Sequence, residues 1–191
     1  MHREAESVQP VTRRNAQSLA AIIADERAFR AWYDEVAPRV YAYLVSRTSS
    51  PTTAEELTQQ TFIAAIRSAA TFDGRDNAIP WLIGIARHGL ASHFRVLDRE
   101  ERRHQRLMLR EITDDVDRSE WARAQERDAV ARALRNLPAM QRAVLILRFF
   151  DRLPVREIAV ELGRSESATE SLLGRARVAF ERAYGGTFDA V

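Results

Sequence analysis

Two short helical patterns near the end of the chain meet at a glycine. In residues 153–177, LPVREIAVELGRSESATESLLGRAR, the first pattern stops at Gly163 and the second begins after Ser165 or Ser167, either of which can cap it. Apolar residues at spacings of three and four let both helices face a common core. This spacing is typical of a helix-turn-helix motif, whose second helix enters a groove of duplex DNA.

A second face suited to nucleic acid lies on the helix predicted over residues 80–95. Its apolar side includes Leu82, Leu90 and Phe94. Small residues on the other side would let a backbone approach, and an indole could stack on an unpaired base. The helix alone favours a simpler interpretation, with Trp81 in the core and an ordinary surface histidine. The residues of this second side are Trp81, Gly84, His88, Ala91, Ser92 and Arg95.

A third face lies on the helix predicted from Ser50 or Thr52 to Arg67, which Pro51 and early acidic residues open. Its polar arc is made of carboxylates and amides and contains one apolar residue, Ile63. The isoleucine is either a stray surface residue or part of a docking surface for a partner. The arc consists of Glu55, Glu56, Gln59, Gln60, Ile63 and Arg67.

The chain lacks the residue groupings that enzymes and metal sites need. It contains no cysteine, so neither a disulfide framework nor a thiolate metal site is available, and its four histidines are scattered. No nucleophile paired with a base, GxGxxG motif or Walker motif is present. We therefore expect no catalytic residue, no metal site and no cofactor.

Composition places the chain among globular proteins without a membrane span. Hydrophobic residues make up 46% of its 191 residues, enough for one domain or two small ones. No apolar run approaches the roughly 20 residues that cross a bilayer, and the N-terminus, MHREAESVQPVTRRN, has no hydrophobic signal segment. All 29 basic residues are arginine, which genome composition explains more simply than DNA binding does. We expect a cytoplasmic protein without membrane insertion.

Apolar periodicity predicts an all-α protein of two small helical domains joined by a flexible linker. In the first domain, Phe29, Trp32 and Tyr33 are expected in the core, and Pro38 is expected to divide or kink the helical segment. The linker is dense in charge and is expected to be partly helical around residues 99–112. The predicted segments are a flexible N-terminal extension (1–24), a first domain (25–95), a linker (96–126), a second domain (127–186) and a tail (187–191).

These motifs together resemble the extracytoplasmic-function (ECF) sigma factors, the two-domain initiation subunits of bacterial RNA polymerase. AEELTQQTFIAAIR is similar to the polymerase-binding helix in region 2.2 of the family, and PWLIGIARHGLASHFR to region 2.4. LPAMQRAVLILRF is similar to region 4.1, and residues 153–177 to region 4.2. The resemblance covers residues 29–95 and 129–184, with the linker between the second and third motifs.

The resemblance implies that the first domain binds polymerase and captures the melted minus-10 element of a promoter. Residues 73–79 would hold a flipped base, with Asn77 able to hydrogen-bond its edge. The implied contacts to the β′ clamp helices are Glu55, Glu56, Gln59, Gln60 and Ile63, and the other residues lining the melted strand are Trp81, His88, Ser92 and Arg95.

The resemblance further implies that the second domain reads the minus-35 element as duplex DNA. Serine and arginine side chains would supply donors to phosphates and base edges. The implied minus-35 residues are Arg164, Ser165, Ser167, Glu170, Ser171, Arg175 and Arg177. Implied partners are core RNA polymerase, through its β′ clamp helices and β flap, promoter DNA and an anti-sigma factor. In the linker, Asp114, Asp115 and Asp117 would stand in for nucleic acid in the polymerase cleft.

Three positions depart from the family's pattern. Gln60 stands where an acidic residue is common, which weakens one contact to polymerase. Glu170 and Leu172 stand where the recognition helix often carries basic residues, so we expect fewer phosphate contacts and a different minus-35 sequence. Ser167 and Glu170 have capping-box spacing, and the helical wheel puts Leu172 in the core.

Two other classes of protein share parts of this pattern. A dimeric helix-turn-helix regulator of duplex DNA would need only the second domain, and residues 54–95 would then have no role. A sigma mimic would bind polymerase without reading DNA, which the weakly basic recognition helix favours. Association with core polymerase and open-complex formation on a promoter distinguish these alternatives.

Overall fold

The structure is a computed structural model that describes residues 19–72, 77–108 and 125–185, and every regular element in those ranges is helical. The predicted all-α class is confirmed. None of the helices so described combines the length and apolar composition that a membrane span requires. The helices are α1 (Leu19–Ala24), α2 (Glu26–Thr48), α3 (Pro51–Arg67), α4 (Ala78–Met108), α5 (Gln125–Arg135), α6 (Ala139–Leu145), α7 (Val155–Leu162) and α8 (Glu166–Tyr184).

The chain divides into two compact units, and the division falls inside α4. One unit lies within Met1–Val45 and Pro51–Ala86, and the other within Ser46–Ser50 and Arg87–Val191. The sequence prediction ends the first domain at Arg95. In the structure, α4 residues up to Ala86 belong to the first unit and those from Arg87 onward belong to the second. The difference arises because α4 has no break, so its two halves serve different units.

An aromatic cluster joins α2 and α3 in the first unit. Tyr33 and Trp32 lie against the buried Phe62, with ring centroids 4.5 and 5.7 Å away, and Phe29 packs beside Trp32 at 5.9 Å. Such tilted and edge-on arrangements add to the gain from burial. Phe29, Trp32 and Tyr33, which were predicted in the core, are half-buried and pack against the buried Phe62 rather than being enclosed themselves.

Helix α2 continues through Pro38, so the predicted division of this segment is wrong. Proline removes one backbone hydrogen bond from a helix. Val36, Ala37 and Val40, on both sides of it, are buried, whereas Pro38 itself is exposed. Tertiary packing of the flanking turns therefore holds the helix together across the proline.

Helix α4 extends well into the segment predicted as a linker. Asn77 caps its start, because its Oδ1 accepts a hydrogen bond of 3.0 Å from the backbone N–H of Ile79. Further along, Arg102 and Asp98 form a pair one turn apart, with Nε and Oδ2 2.9 Å from each other. The helix ends at Met108. The acidic linker residues Asp114, Asp115 and Asp117 lie outside the described residues.

In the second unit, α5, α6 and α7 all pack on α8. A π-helical turn, Ile146–Phe150, prolongs α6 before the chain enters α7. Gly163 ends α7 with φ of 62°, a left-handed conformation that glycine adopts without strain, and α8 begins three residues later. The predicted helix-turn-helix is confirmed. Its shared core contains Ile158, Ala159, Leu162, Thr169, Leu172, Leu173, Ala176 and Phe180.

The helix-turn-helix core predicts a sharp contrast between two aliphatic residues of α7. Ile158 has no exposed surface, whereas Val160 is 78% exposed. Ile158→Ala leaves a cavity and should lower the free energy of unfolding by about 2–5 kcal/mol. Val160→Ala should change it by less than about 0.5 kcal/mol. Urea unfolding followed by circular dichroism measures both, and equal effects would contradict the described packing.

Candidate nucleic-acid and polymerase interface

The outer face of α3 carries the five residues that the sequence assigned to polymerase binding, and all five are exposed. The opposite face is buried, including Thr58 and Thr61. Their hydroxyls donate 2.7 Å hydrogen bonds to the backbone oxygens of Ala54 and Leu57, so the inner face buries no unpaired hydroxyl. The outer face consists of Glu55, Glu56, Gln59, Gln60 and Ile63.

Two isoleucines interrupt this polar face. Ile63 is 50% exposed and Ile66 is 42% exposed. Sequence reasoning missed Ile66, although its position three residues after Ile63 could have placed it beside the same face. Aliphatic surface on a helix face that also carries the carboxylates of Glu55 and Glu56 suits a protein partner better than DNA, because the carboxylates repel phosphates.

At the start of α4, Trp81 is half-buried and lies against Phe72, with ring centroids 5.2 Å apart. The simpler interpretation of Trp81 as a packing residue is therefore partly correct, and part of the indole remains accessible. Sequence reasoning missed Phe72, because nothing in its local pattern pairs it with α4. The flipped-base segment is only partly visible, since residues 73–76 lie outside the described residues.

Asn77 has a structural role besides the one implied for it. Its Oδ1 caps α4 through the N–H of Ile79. The Nδ2 group of the same amide keeps its two donor hydrogens, which match acceptors on a base edge. Capping fixes the side chain at the exposed start of α4, where a donor to a flipped base would be needed.

Farther along α4, His88 and Arg95 both contact Glu161 of α7, within the second unit. His88 Nδ1 lies 3.2 Å from Glu161 Oε2, and Arg95 donates a hydrogen bond to the backbone oxygen of Glu161. Arg87 lies on the other side of the carboxylate, with Nε 3.4 Å from Oε1. Sequence reasoning missed Arg87 and Glu161, since only the fold brings them together.

The polar face of α4 is less open than the sequence implied. Ser92 is half-buried, and Ala91 is buried. The prediction that Ala91 lies on an open face is wrong, because this half of α4 packs inside the second unit. His88 is the exposed member of the set on this half of the helix.

Ser165 is the residue that caps α8. Its Oγ accepts a 3.2 Å hydrogen bond from the N–H of Ala168, and the helix begins at Glu166. Ser167 is therefore already inside the helix, and its predicted capping box with Glu170 is wrong. The physical reason is that Ser165 has the extended backbone that a cap requires, with φ of −74° and ψ of 156°.

The exposed face of α8 holds most of the residues assigned to the minus-35 element. Arg175 Nε donates to the backbone oxygen of Ser171, 3.3 Å away. Leu172 is buried, which confirms its predicted place in the core. The exposed members of the set are Ser165, Ser167, Glu170, Ser171 and Arg175.

Two arginines of the minus-35 set lie at the edge of this face. Arg164, in the turn, is half-buried. Arg177 is also half-buried, and its guanidinium lies 5.4 Å from the ring centroid of Phe149. A guanidinium stacked on an aromatic ring retains edge donors for a phosphate. These two arginines are therefore less exposed than the serines of the set.

The cap predicts different consequences for two neighbouring serines. Ser165→Ala removes the acceptor for the N–H of Ala168 and should lower the free energy of unfolding by about 1 kcal/mol. Ser167→Ala leaves that hydrogen bond intact and should change stability by less than about 0.5 kcal/mol. Urea unfolding of both variants provides the comparison. A larger loss for Ser167→Ala would show that the helix starts elsewhere.

Two family matches cover most of the chain. Residues 27–100 match the family described as Sigma-70 region 2, and residues 127–180 match Sigma-70, region 4. The first match contains α3 and the first part of α4, and the second contains the helix-turn-helix. The order of these matches is the order that the sequence motifs predict.

Individual relatives give the same result. The chain is 35% identical over 160 residues to the ECF RNA polymerase sigma factor BldN of Streptomyces coelicolor, covering 78% of this chain and 57% of BldN. It is 31% identical over 159 residues to the RNA polymerase sigma factor YlaC of Bacillus subtilis, covering 82% of this chain and 90% of YlaC.

One solved structure shares the fold. It is the sigma factor RpoE of Bartonella quintana, crystallised with the anti-sigma factor NepR. The likeness has a TM-score of 0.50 and 24% identity, and it covers 83% of this chain and 98% of the RpoE chain. At this identity the likeness concerns the fold alone.

Proposed function

This chain belongs to the ECF sigma factors, the subunits that direct RNA polymerase to promoters and start transcription, and we propose that three of its faces divide that work. The outer face of α3 binds core polymerase, the start of α4 captures the melted minus-10 strand, and the exposed face of α8 reads the minus-35 duplex. The observation that supports this division most strongly is that the implied α3 and α8 residues lie on exposed helix faces, with the apolar residues behind them buried.

The α3 face has the chemistry of a protein-docking surface. Its carboxylates and amides are exposed on the same helix as Ile63 and Ile66, which together offer apolar surface to a partner. Interfaces of this kind gain most of their affinity from a few central residues that lose water on binding. In the proposed complex these contact the β′ clamp helices of polymerase, and Gln60 supplies a neutral contact where relatives often carry an acid.

The start of α4 has the chemistry needed to hold an unpaired base. The accessible part of the Trp81 ring supplies a stacking surface, supported from behind by Phe72. The Nδ2 donors of Asn77 face acceptors on the flipped base in this proposal. Farther along, His88, Ser92 and Arg95 contact the backbone of the same strand.

The α8 face combines hydroxyl donors with few cations. Ser165, Ser167 and Ser171 supply short donors to phosphates and base edges, and Arg175 supplies a guanidinium. Glu170 is exposed near them. Because Ser167 does not cap the helix, the predicted capping box does not offset the repulsion between the Glu170 carboxylate and phosphates. The affinity for minus-35 DNA should therefore depend less on phosphate contacts than in relatives with a basic helix.

An anti-sigma factor is a further partner in this proposal. The resemblance to the family implies it, and the Bartonella RpoE was crystallised with such a protein. The β flap of polymerase is the proposed partner of the second domain. Co-purification of each partner with the purified chain is the simplest test.

Docking through α3 predicts that a charge at Ile63 weakens polymerase binding. Ile63→Asp should reduce affinity for core RNA polymerase at least tenfold, because it places a carboxylate in an apolar contact. Val96→Asp, a similar change at an exposed aliphatic residue of α4, should change affinity less than twofold. Fluorescence anisotropy with labelled protein and core polymerase, without DNA, measures both variants. No association even by the unaltered chain would favour the plain DNA-binding regulator.

The exposed Glu170 predicts a gain in DNA affinity when its charge is removed. Glu170→Ala should bind minus-35 duplex about fivefold more tightly, which corresponds to about 1 kcal/mol for a carboxylate near a phosphate in water. Glu181→Ala, near the end of the same helix, should have little effect. Binding of the reconstituted holoenzyme to randomised minus-35 duplexes measures affinity and sequence preference together. Unchanged affinity and preference would remove Glu170 from the DNA-reading set.

A further inference from the structure

Three nitrogen-bearing side chains of α4 converge on one residue of α7. Glu161 receives Arg87 and His88 on its two carboxylate oxygens and Arg95 on its backbone oxygen. All four residues belong to the second unit. Two of the three α4 residues, His88 and Arg95, are also proposed contacts of the minus-10 strand. These two side chains could therefore bind either Glu161 or the DNA strand.

The Glu161 carboxylate is well shielded, with 17% of its side chain exposed. A shielded carboxylate needs compensating partners, which here are supplied by α4. The partners differ in strength. The Arg87 Nε is buried at 3.4 Å from Oε1 without forming a hydrogen bond, so its contribution is a charge contact. Arg95 makes a directed hydrogen bond, but to the backbone oxygen of Glu161 and not to its carboxylate. His88 remains 70% exposed, so solvent weakens its contact.

Two further contacts hold the same stretch of α4 against α6. The Glu101 carboxylate accepts hydrogen bonds of 3.0 and 3.2 Å from the N–H of Ala139. The guanidinium of Arg142 lies 5.6 Å from the ring centroid of the buried Phe94. Burial lowers the pKa of Arg142, while the Glu101 carboxylate acts in the opposite direction and Arg135 adds to the lowering. The Glu161 contact is thus one part of a packed surface.

We propose that Glu161 is an internal competitor for promoter DNA, which occupies His88 and Arg95 until the phosphates of the minus-10 strand replace it, while Arg87 adds a charge contact to its carboxylate. This proposal rests on the proposed function of the α4 face. Phosphate oxygens and the oxygens of Glu161 are both acceptors for the same donors, so the two cannot be bound by the same hydrogen atoms at once. The free chain therefore binds the minus-10 strand more weakly than its donors alone would allow.

The size of the effect follows from the population of the open state. When only a fraction of the molecules has the donors free, the apparent affinity equals the intrinsic affinity multiplied by that fraction. A partly exposed ion pair contributes roughly 1 kcal/mol or less, which corresponds to about a fivefold change at most for the carboxylate alone. The competitor is therefore weak enough for a promoter strand held by polymerase to displace it.

The first test removes the charge of Glu161 and keeps its shape. Glu161→Gln in the full-length chain should bind a single-stranded minus-10 oligonucleotide about three- to fivefold more tightly, measured without polymerase at one fixed ionic strength. Glu157→Gln, an exposed carboxylate one turn earlier on α7, is the matched control and should bind like the unaltered chain. Equal affinity of all three proteins would overturn the proposal.

The second test locks the contact covalently. The chain contains no cysteine, so His88→Cys combined with Glu161→Cys introduces its only two thiols. A short bifunctional thiol reagent should join the two thiols in the free chain. The control is a second double variant, His88→Cys with Val160→Cys, whose thiols should be joined more slowly. The joined protein should lose binding to the oligonucleotide at least tenfold relative to the same variant before crosslinking.

The outcomes of the second test separate the two proposals. Equal crosslinking of both cysteine pairs would overturn the contact with Glu161 and leave the α4 face as a proposed DNA surface. Crosslinking without loss of oligonucleotide binding would overturn both the competition and the role of this face. Preferential crosslinking with loss of binding supports the proposal.

Discussion

Each short helix of this chain must bury one side against its neighbours, and the division between buried and exposed sides determines which residues can meet a partner. In α3, inward hydroxyls bond back to their own helix, and the carboxylates, amides and two isoleucines are left outside. In α8, burial of Thr169, Leu172 and Ala176 leaves serines and Arg175 outside. The same physical constraint thus produces the face that we propose docks on polymerase and the face that we propose reads DNA, and the two differ in the chemistry of their outward residues.

Helix α4 is the exception, because its two halves make different kinds of contact. Its start offers Trp81 and Asn77, and its second half packs within the second unit through Phe94, Glu101 and the groups around Glu161. The proposed exchange between Glu161 and a DNA strand concerns the part of this helix that belongs to the second unit.

Periodicity was sufficient to predict the helical class, the helix-turn-helix, the exposed α3 set and the buried Leu172, since each depends on residues close in sequence. Periodicity gave wrong predictions where residues distant in sequence determine the local structure. Packing around Pro38 keeps α2 continuous, backbone geometry selects Ser165 over Ser167 as the cap, and packing of α4 buries Ala91. Glu161 could not be found from its neighbours, because its partners lie more than 60 residues away.

The central claim is that this chain directs RNA polymerase to its own class of promoters through two separate DNA contacts. Sequencing the transcripts made on genomic DNA by core polymerase reconstituted with the purified chain tests this claim most directly. The account predicts start sites that share a minus-10 element and a minus-35 element, absent with core polymerase alone. Start sites identical to those of core polymerase alone would contradict it.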